Sequence, residues 1–182
     1  MGKRATVRGK VPLSQNLINR EESITIRDGQ EHVQIVTIPN ESIRDFISRL
    51  QKEMNRKRMR VKIFHDELDK LVLFHQDFGE GYSFGVTSTT NGVLSQEGDV
   101  QDWIQNGQDI SGSFGGEAAI GQGRILKGEA GTAFEDVRVE YTGLCQPNSV
   151  VGKLFLSSHA IIFNAGASAD QQIKILLPST KP

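Results

Sequence analysis

From Ser23 the chain alternates apolar and polar residues with a period of two, and after Pro39 the period becomes helical. Ile24 and Ile26 fall on one side and Thr25 and Arg27 on the other, and Val33, Ile35 and Thr37 repeat the pattern beyond Asp28-Gly29. An Asp-Gly pair between alternating runs favours a tight hairpin turn, because glycine accepts positive φ without steric cost. Pro39-Asn40 ends the returning strand and offers Asn40 as a helix N-cap, with Glu41 placed where the helix dipole favours an anion. Ile43, Phe46, Ile47, Leu50 and Met54 then form one stripe of a predicted amphipathic helix, which must lie on a sheet to bury that stripe. Beyond it Met59, Val61 and Ile63 alternate with Arg58, Arg60 and Lys62. Leu71 and Leu73, then Tyr82, Phe84 and Val86, predict two more strands separated by Phe78-Gly79-Glu80-Gly81. The first half therefore reads β-β-α-β-β-β.

The second half carries no comparable helical stripe. Val100–Asn106 is expected to form a helical turn or two bearing Trp103 and Ile104. Short strands are expected at Ile110–Phe114, Arg124–Lys127, Val137–Tyr141, Lys153–Leu156, Ala160–Phe163 and Gln172–Leu177, with glycines between them. Many short strands broken by turns imply antiparallel β structure. The expected fold class is thus α+β, mostly antiparallel β with one principal amphipathic helix, arranged as two adjoining β-rich modules. A hairpin–helix–strand module occupies 23–95 and an antiparallel β module occupies 96–182. A lead-in segment, 1–22, contains Thr6-Val7-Arg8 as a short strand, which this reading assigns to the second module.

Composition narrows the function classes. A formal net charge of −1 over 182 residues argues against nucleic-acid binding driven by overall charge. Cys145 is the single cysteine, so neither an internal disulfide nor a multi-cysteine metal site can form. No apolar run approaches the roughly 20 residues that span a bilayer.

The strongest charge feature is Arg56, Lys57, Arg58, Arg60 and Lys62. It has two readings: a surface for an anionic partner, or cations that complement a helix C-terminus and the wet face of a strand. No aromatic residue interleaves with these cations, so base stacking is unsupported. His65-Asp66-Glu67 and His75-Gln76-Asp77 contain metal-ligand types without a recognised metal spacing, and His32 and His159 stand alone. There is no G-x-S-x-G elbow. The runs Gly112–Gly116 and Gly121-Gln122-Gly123 lack the Gly-Lys-Ser/Thr ending of a phosphate loop. The expectation is no catalytic residue, cofactor or bound metal, and no enzymatic activity.

Four phrases then resemble, in order, the flagellar filament-cap family of hook-associated (FliD-type) proteins, over roughly Ser23 to Leu177. Ile24–Gly29 through the helix to Leu71-Val72-Leu73 resembles the flagellin hook IN motif, and Tyr82–Ser95 its closing strand and exit. Asp109–Gly123 is similar to the family's "dv.Gt.nGe.A.G.Gq" phrase, and Val139-Glu140-Tyr141-Thr142-Gly143 to its sequel. Ile162–Ile173 is similar to the "fqiGAna.Q.i.i" segment. Asn164-Ala165 departs from the usual glutamine and aliphatic residue, and Cys145 is unusual for a flagellar axial protein. The family's heptad-bearing terminal helices have no counterpart in this sequence, so it reads as a head-domain fragment. The resemblance implies an extracellular structural role at the flagellum tip, where cap heads hold exported flagellin while it folds into place. The implied partners are flagellin and other cap subunits, with host surfaces or glycans as a further contact, and neither nucleic acid nor membrane. Oligomerisation would belong to the full-length protein, with the fragment itself monomeric. Alternative readings are an outer domain of flagellin or of a hook-associated junction protein, and a secreted adhesin or glycan-binding module.

Overall fold

The helical stripe folds as expected, but its cap lies two residues later. In the computed structural model, α1 spans Ile43–Arg56 with Ser42 as N-cap. Ser42 Oγ accepts the Asp45 N–H at 3.2 Å and donates to the Asp45 carboxylate at 2.6 Å, which satisfies one of the free first-turn donors. Asn40, expected as the cap, instead takes φ 65° in the preceding turn, a conformation that asparagine tolerates better than most residues. Phe46, Leu50 and Met54 are fully buried, and Ile43 and Ile47 pack against the same core at its margin.

The structure describes residues 1–13, 21–94, 103–143, 149–150, 152–153, 160–164 and 172–176. Met1–Leu144 packs as one unit and Cys145–Pro182 as another. In the first unit, β2 (Ser23–Asp28), β3 (Glu31–Val36), β6 (Ser83–Ser88) and β7 (Trp103–Asn106) form an antiparallel sheet in the order β3-β2-β6-β7. The β2–β3 turn is Gly29-Gln30, one residue beyond the expected pair, and Gly29 has φ 60°. A second antiparallel sheet has the order β1-β5-β4, from β1 (Arg4–Arg8), β4 (Val61–His65) and β5 (Leu71–Phe78).

Ile24, Ile26, Phe84 and Val86 of one sheet share a single core with Val7, Val61, Ile63, Leu71 and Leu73 of the other and with the α1 stripe. Burial of each such side chain contributes about 1.5–3 kcal/mol. The helix also guards strand edges. Gln51 Oε1 accepts the Ile63 N–H at 3.2 Å, its Nε2 reaches Val61 O at 3.5 Å, and Arg49 Nη2 donates to Val36 O at 2.9 Å. One glutamine amide thus stands in for a neighbouring strand along β4.

Two expectations are corrected here. Residues 103–106 form a strand, not a helical turn. So short a helix is marginal by itself, whereas β6 offers a free edge on which Val86 pairs with Trp103 and Ser83 with Asn106. The lead-in does supply a strand, but β1 pairs with β5 inside the first module's own sheet, because Ala5 and Val7 add to that core. Its link to the second module is a bridge from Lys3 to Gln108.

A third antiparallel sheet, in the order β11-β10-β9-β8, is built from β8 (Gly112–Phe114), β9 (Glu117–Gln122), β10 (Ile125–Gly128) and β11 (Arg138–Glu140). Strand β9 was not anticipated: no strand was expected at residues 117–122, and Gly121 was read as a turn glycine. The expected module boundary at 95/96 falls on undescribed residues, and the third sheet belongs to the same unit as the first two. In the unit Cys145–Pro182, β12 (Ala160–Asn164) pairs antiparallel with β13 (Gln172–Leu176). The strand expected at Lys153–Leu156 falls, from residue 154, outside the described residues, as do Cys145 and His159. The fold is β-rich α+β, mostly antiparallel, with one helix among the described residues.

Candidate interaction surface

The basic cluster occupies a corner where the end of α1 meets the β2–β3 turn, and its charge is largely matched. Arg56 lies 2.7 Å from Glu53, Lys57 3.5 Å from Glu31, and Arg60 2.6 Å from Asp77. The Arg60 N–H donates to Asp28 Oδ2 at 2.8 Å, so this cation sits on a braced backbone. Arg58 takes φ 56° at the exit from the helix and has no ion-pair partner among the described residues. Lys62 projects from β4, with Asn55 Oδ1 at 3.4 Å. The five residues therefore differ in role: Lys57 and Arg60 tie the corner to neighbouring strands, Arg56 pairs within the helix, Arg58 is unpaired among the described residues, and Lys62 belongs to a sheet face.

The two histidine clusters remain apart. His65 lies opposite Leu71 and His75 opposite Val61, at opposite ends of the β4–β5 ladder. Asp66 organises the intervening turn, with Oδ1 accepting the Leu68 and Lys70 N–H groups at 2.9 and 3.0 Å. His75 is buried and stacked on Tyr82 at 5.1 Å, and its Nδ1 accepts the Asp77 N–H at 3.0 Å, which leaves the ring proton on Nε2. No group of three metal-ligating side chains occurs among the described residues. No described helix is long and apolar enough to cross a membrane.

Close backbone packing joins the third sheet to the body. Asp109 Oδ1 accepts the Gly123 N–H at 2.6 Å and the Glu80 N–H at 3.2 Å, while the Ile110 N–H donates to Gly123 O at 2.8 Å. A Cβ on Gly121 would stand 1.6 Å from Ile110 O, and one on Gly107 2.2 Å from Gly79 O. Gly123 adds φ 60°. Three chain segments meet here at distances that only glycine allows.

The outer face of β1-β5-β4 holds the unmatched charge. Ala5 and Val7 point inward, which turns Arg4, Thr6 and Arg8 outward, opposite Phe78, Phe74 and Val72. On the other flank Lys62 lies opposite Phe74 and Phe64 opposite Val72. The Arg4 guanidinium covers the Phe74 and Phe78 rings at 5.1 and 4.4 Å, and Arg124 reaches Phe78 at 4.5 Å. Arg4 Nε is buried without an acceptor, and the ring faces beneath supply the compensating attraction. Phe64 meets Phe74 edge-on at 6.1 Å and is 43% exposed. Arg8 is 66% exposed, with Asp66 no closer than 3.9 Å. Sequence reading found Lys62 but missed Arg4, Arg8 and Arg124. Arg4 and Arg8, four residues apart on one face of β1, were a usable signal, whereas Arg124 arrives through the glycine joint and had none.

No known protein family, curated protein or solved structure matches this chain.

Proposed function

We propose that this chain forms head modules of a bacterial flagellar filament cap, a structural component that works through protein contacts while flagellin is inserted at the growing tip. One observation carries the reading. The phrase similar to the cap family's, Asp109–Gly123, contains two residues of the joint to the two-sheet body: Asp109 accepts the Glu80 N–H, and Asp109 and Gly123 both crowd Gly79. A resemblance confined to turn composition would have no reason to fall on residues with such strict steric demands. A plate that must hold its shape against exported chains needs modules fixed to one another, and a glycine–aspartate joint provides that.

The test is genetic. Deleting the gene in its source bacterium should abolish swimming and release unpolymerised flagellin into the medium, and restoring the gene should reverse both. Filaments of normal length and unimpaired swimming would exclude the cap role. Loss of surface attachment alone would favour the adhesin alternative.

A further inference from the structure

We infer that the outer face of β1-β5-β4 is a docking surface for an acidic, extended segment of a partner protein. The inference rests on the surface itself and not on the cap proposal. Arg4 and Arg124 stack on Phe78, Lys62 lies opposite Phe74 and Arg8 opposite Val72, and Asp66, at the edge of ion-pair distance from Arg8, is the one carboxylate paired with any of the four among the described residues. Arg4 and Arg124 both approach one ring, Phe78, within 4.5 Å of its centroid, so two like charges are held less than about 9 Å apart. Both cations keep N–H donors beyond the ring they stack on, and these can donate to a carboxylate. Stacking also fixes the two guanidiniums, which reduces the ordering cost on binding.

The geometry selects the occupant. Arg4 and Arg8 share one face of β1, four residues and about 13 Å apart, the repeat at which an extended chain presents side chains on one side. Exposed Phe64 supplies an apolar contact beside them. Arginine with aromatic residues is also the composition enriched at protein interfaces. A nucleic-acid partner is less well served: Phe74 and Phe78 are already covered by guanidinium, which leaves little ring surface for bases, and the chain's net charge of −1 gives no long-range attraction.

The test uses the whole chain and a fluorescent 12-residue peptide with glutamate at every fourth position and valine or threonine between, alongside the same peptide with glutamine for glutamate. The glutamate peptide should bind, binding should weaken with added salt, and the glutamine peptide should not bind. Arg8→Glu with Lys62→Glu should weaken binding at least about tenfold. Both residues lie outside the core, and an unchanged melting temperature would show that the double variant is folded. Arg58→Glu, at the helix corner, should leave binding unchanged. Equal binding of both peptides, insensitivity to the double variant, a larger loss from Arg58→Glu, or tighter capture of a single-stranded oligonucleotide or sulfated oligosaccharide would each overturn the assignment.

Discussion

Glu41 shows how a single side chain can link two elements. It sits just before α1, and its carboxylate receives Arg49 Nε at 2.8 Å and Nη2 at 2.6 Å, while Arg49 also donates to Val36 O. The Arg49 hydrogen bonds hold this carboxyl below the ordinary glutamate range, against burial, which pushes it upward; the Ile38 N–H adds a smaller downward contribution. A depressed value in the folded state means that the contribution is present above the unfolded range and is lost as the pH falls through the folded value. Glu41→Gln should therefore lower stability by about 1–2 kcal/mol at neutral pH, a figure kept small because Arg49 is 32% exposed. The deficit should shrink as the pH falls below the ordinary glutamate range, as read by denaturant melts across pH. The joint gives a second residue-scale prediction. Gly121→Ala forces a methyl into Ile110 O and should cost more than about 2 kcal/mol. Asp109→Ala frees the Gly123 and Glu80 donors, so faster amide exchange at those positions, with β2 and β6 unchanged, would show that the joint had loosened locally. Little of this was legible in the sequence. The apolar spacing located the helix, but the choice of Ser42 over Asn40 depends on a backbone angle, and the crowding at Gly121 depends on a segment eleven residues earlier.

At the scale of elements, legibility followed periodicity. The α1 stripe and strands β2 to β6 carry large apolar residues at clear spacing, and they form the core. Strand β9, Glu-Ala-Ala-Ile-Gly-Gln, offers small side chains and a glycine where a strand would normally show β-branched residues. It is a strand because β8 and β10 pair with it on both sides. Strand β7 likewise follows from the free edge of β6. Leu50→Ala should cost about 2–5 kcal/mol, since the side chain is fully buried. Leu50→Asp should leave Met1–Leu144 unfolded by circular dichroism; a cooperative melt near the parent temperature would refute the buried stripe. Gln51→Ala should destabilise by only about 1 kcal/mol, yet it uncovers the β4 edge, and increased self-association on light scattering is the expected sign. The basic corner was visible as a run of charge, but its pairing with Glu31, Glu53 and Asp77 was not, because two of those carboxylates come from other strands.

On the scale of the whole molecule, three sheets and one helix among the described residues lie in the unit Met1–Leu144, and the proposed role depends on that unit acting as a rigid plate in a larger extracellular assembly. The sequence reading divides the chain into two adjoining modules, and the third sheet meets the two-sheet body through Lys3, Gly79, Asp109 and Gly123. Position in the cell is the property on which the proposal turns. Immunogold electron microscopy on intact cells of the source organism, with antibody raised against this chain, measures it directly. The account predicts gold at the distal ends of flagellar filaments and none in the deletion strain. Labelling along filament shafts, across the cell body, or only at the hook would contradict it.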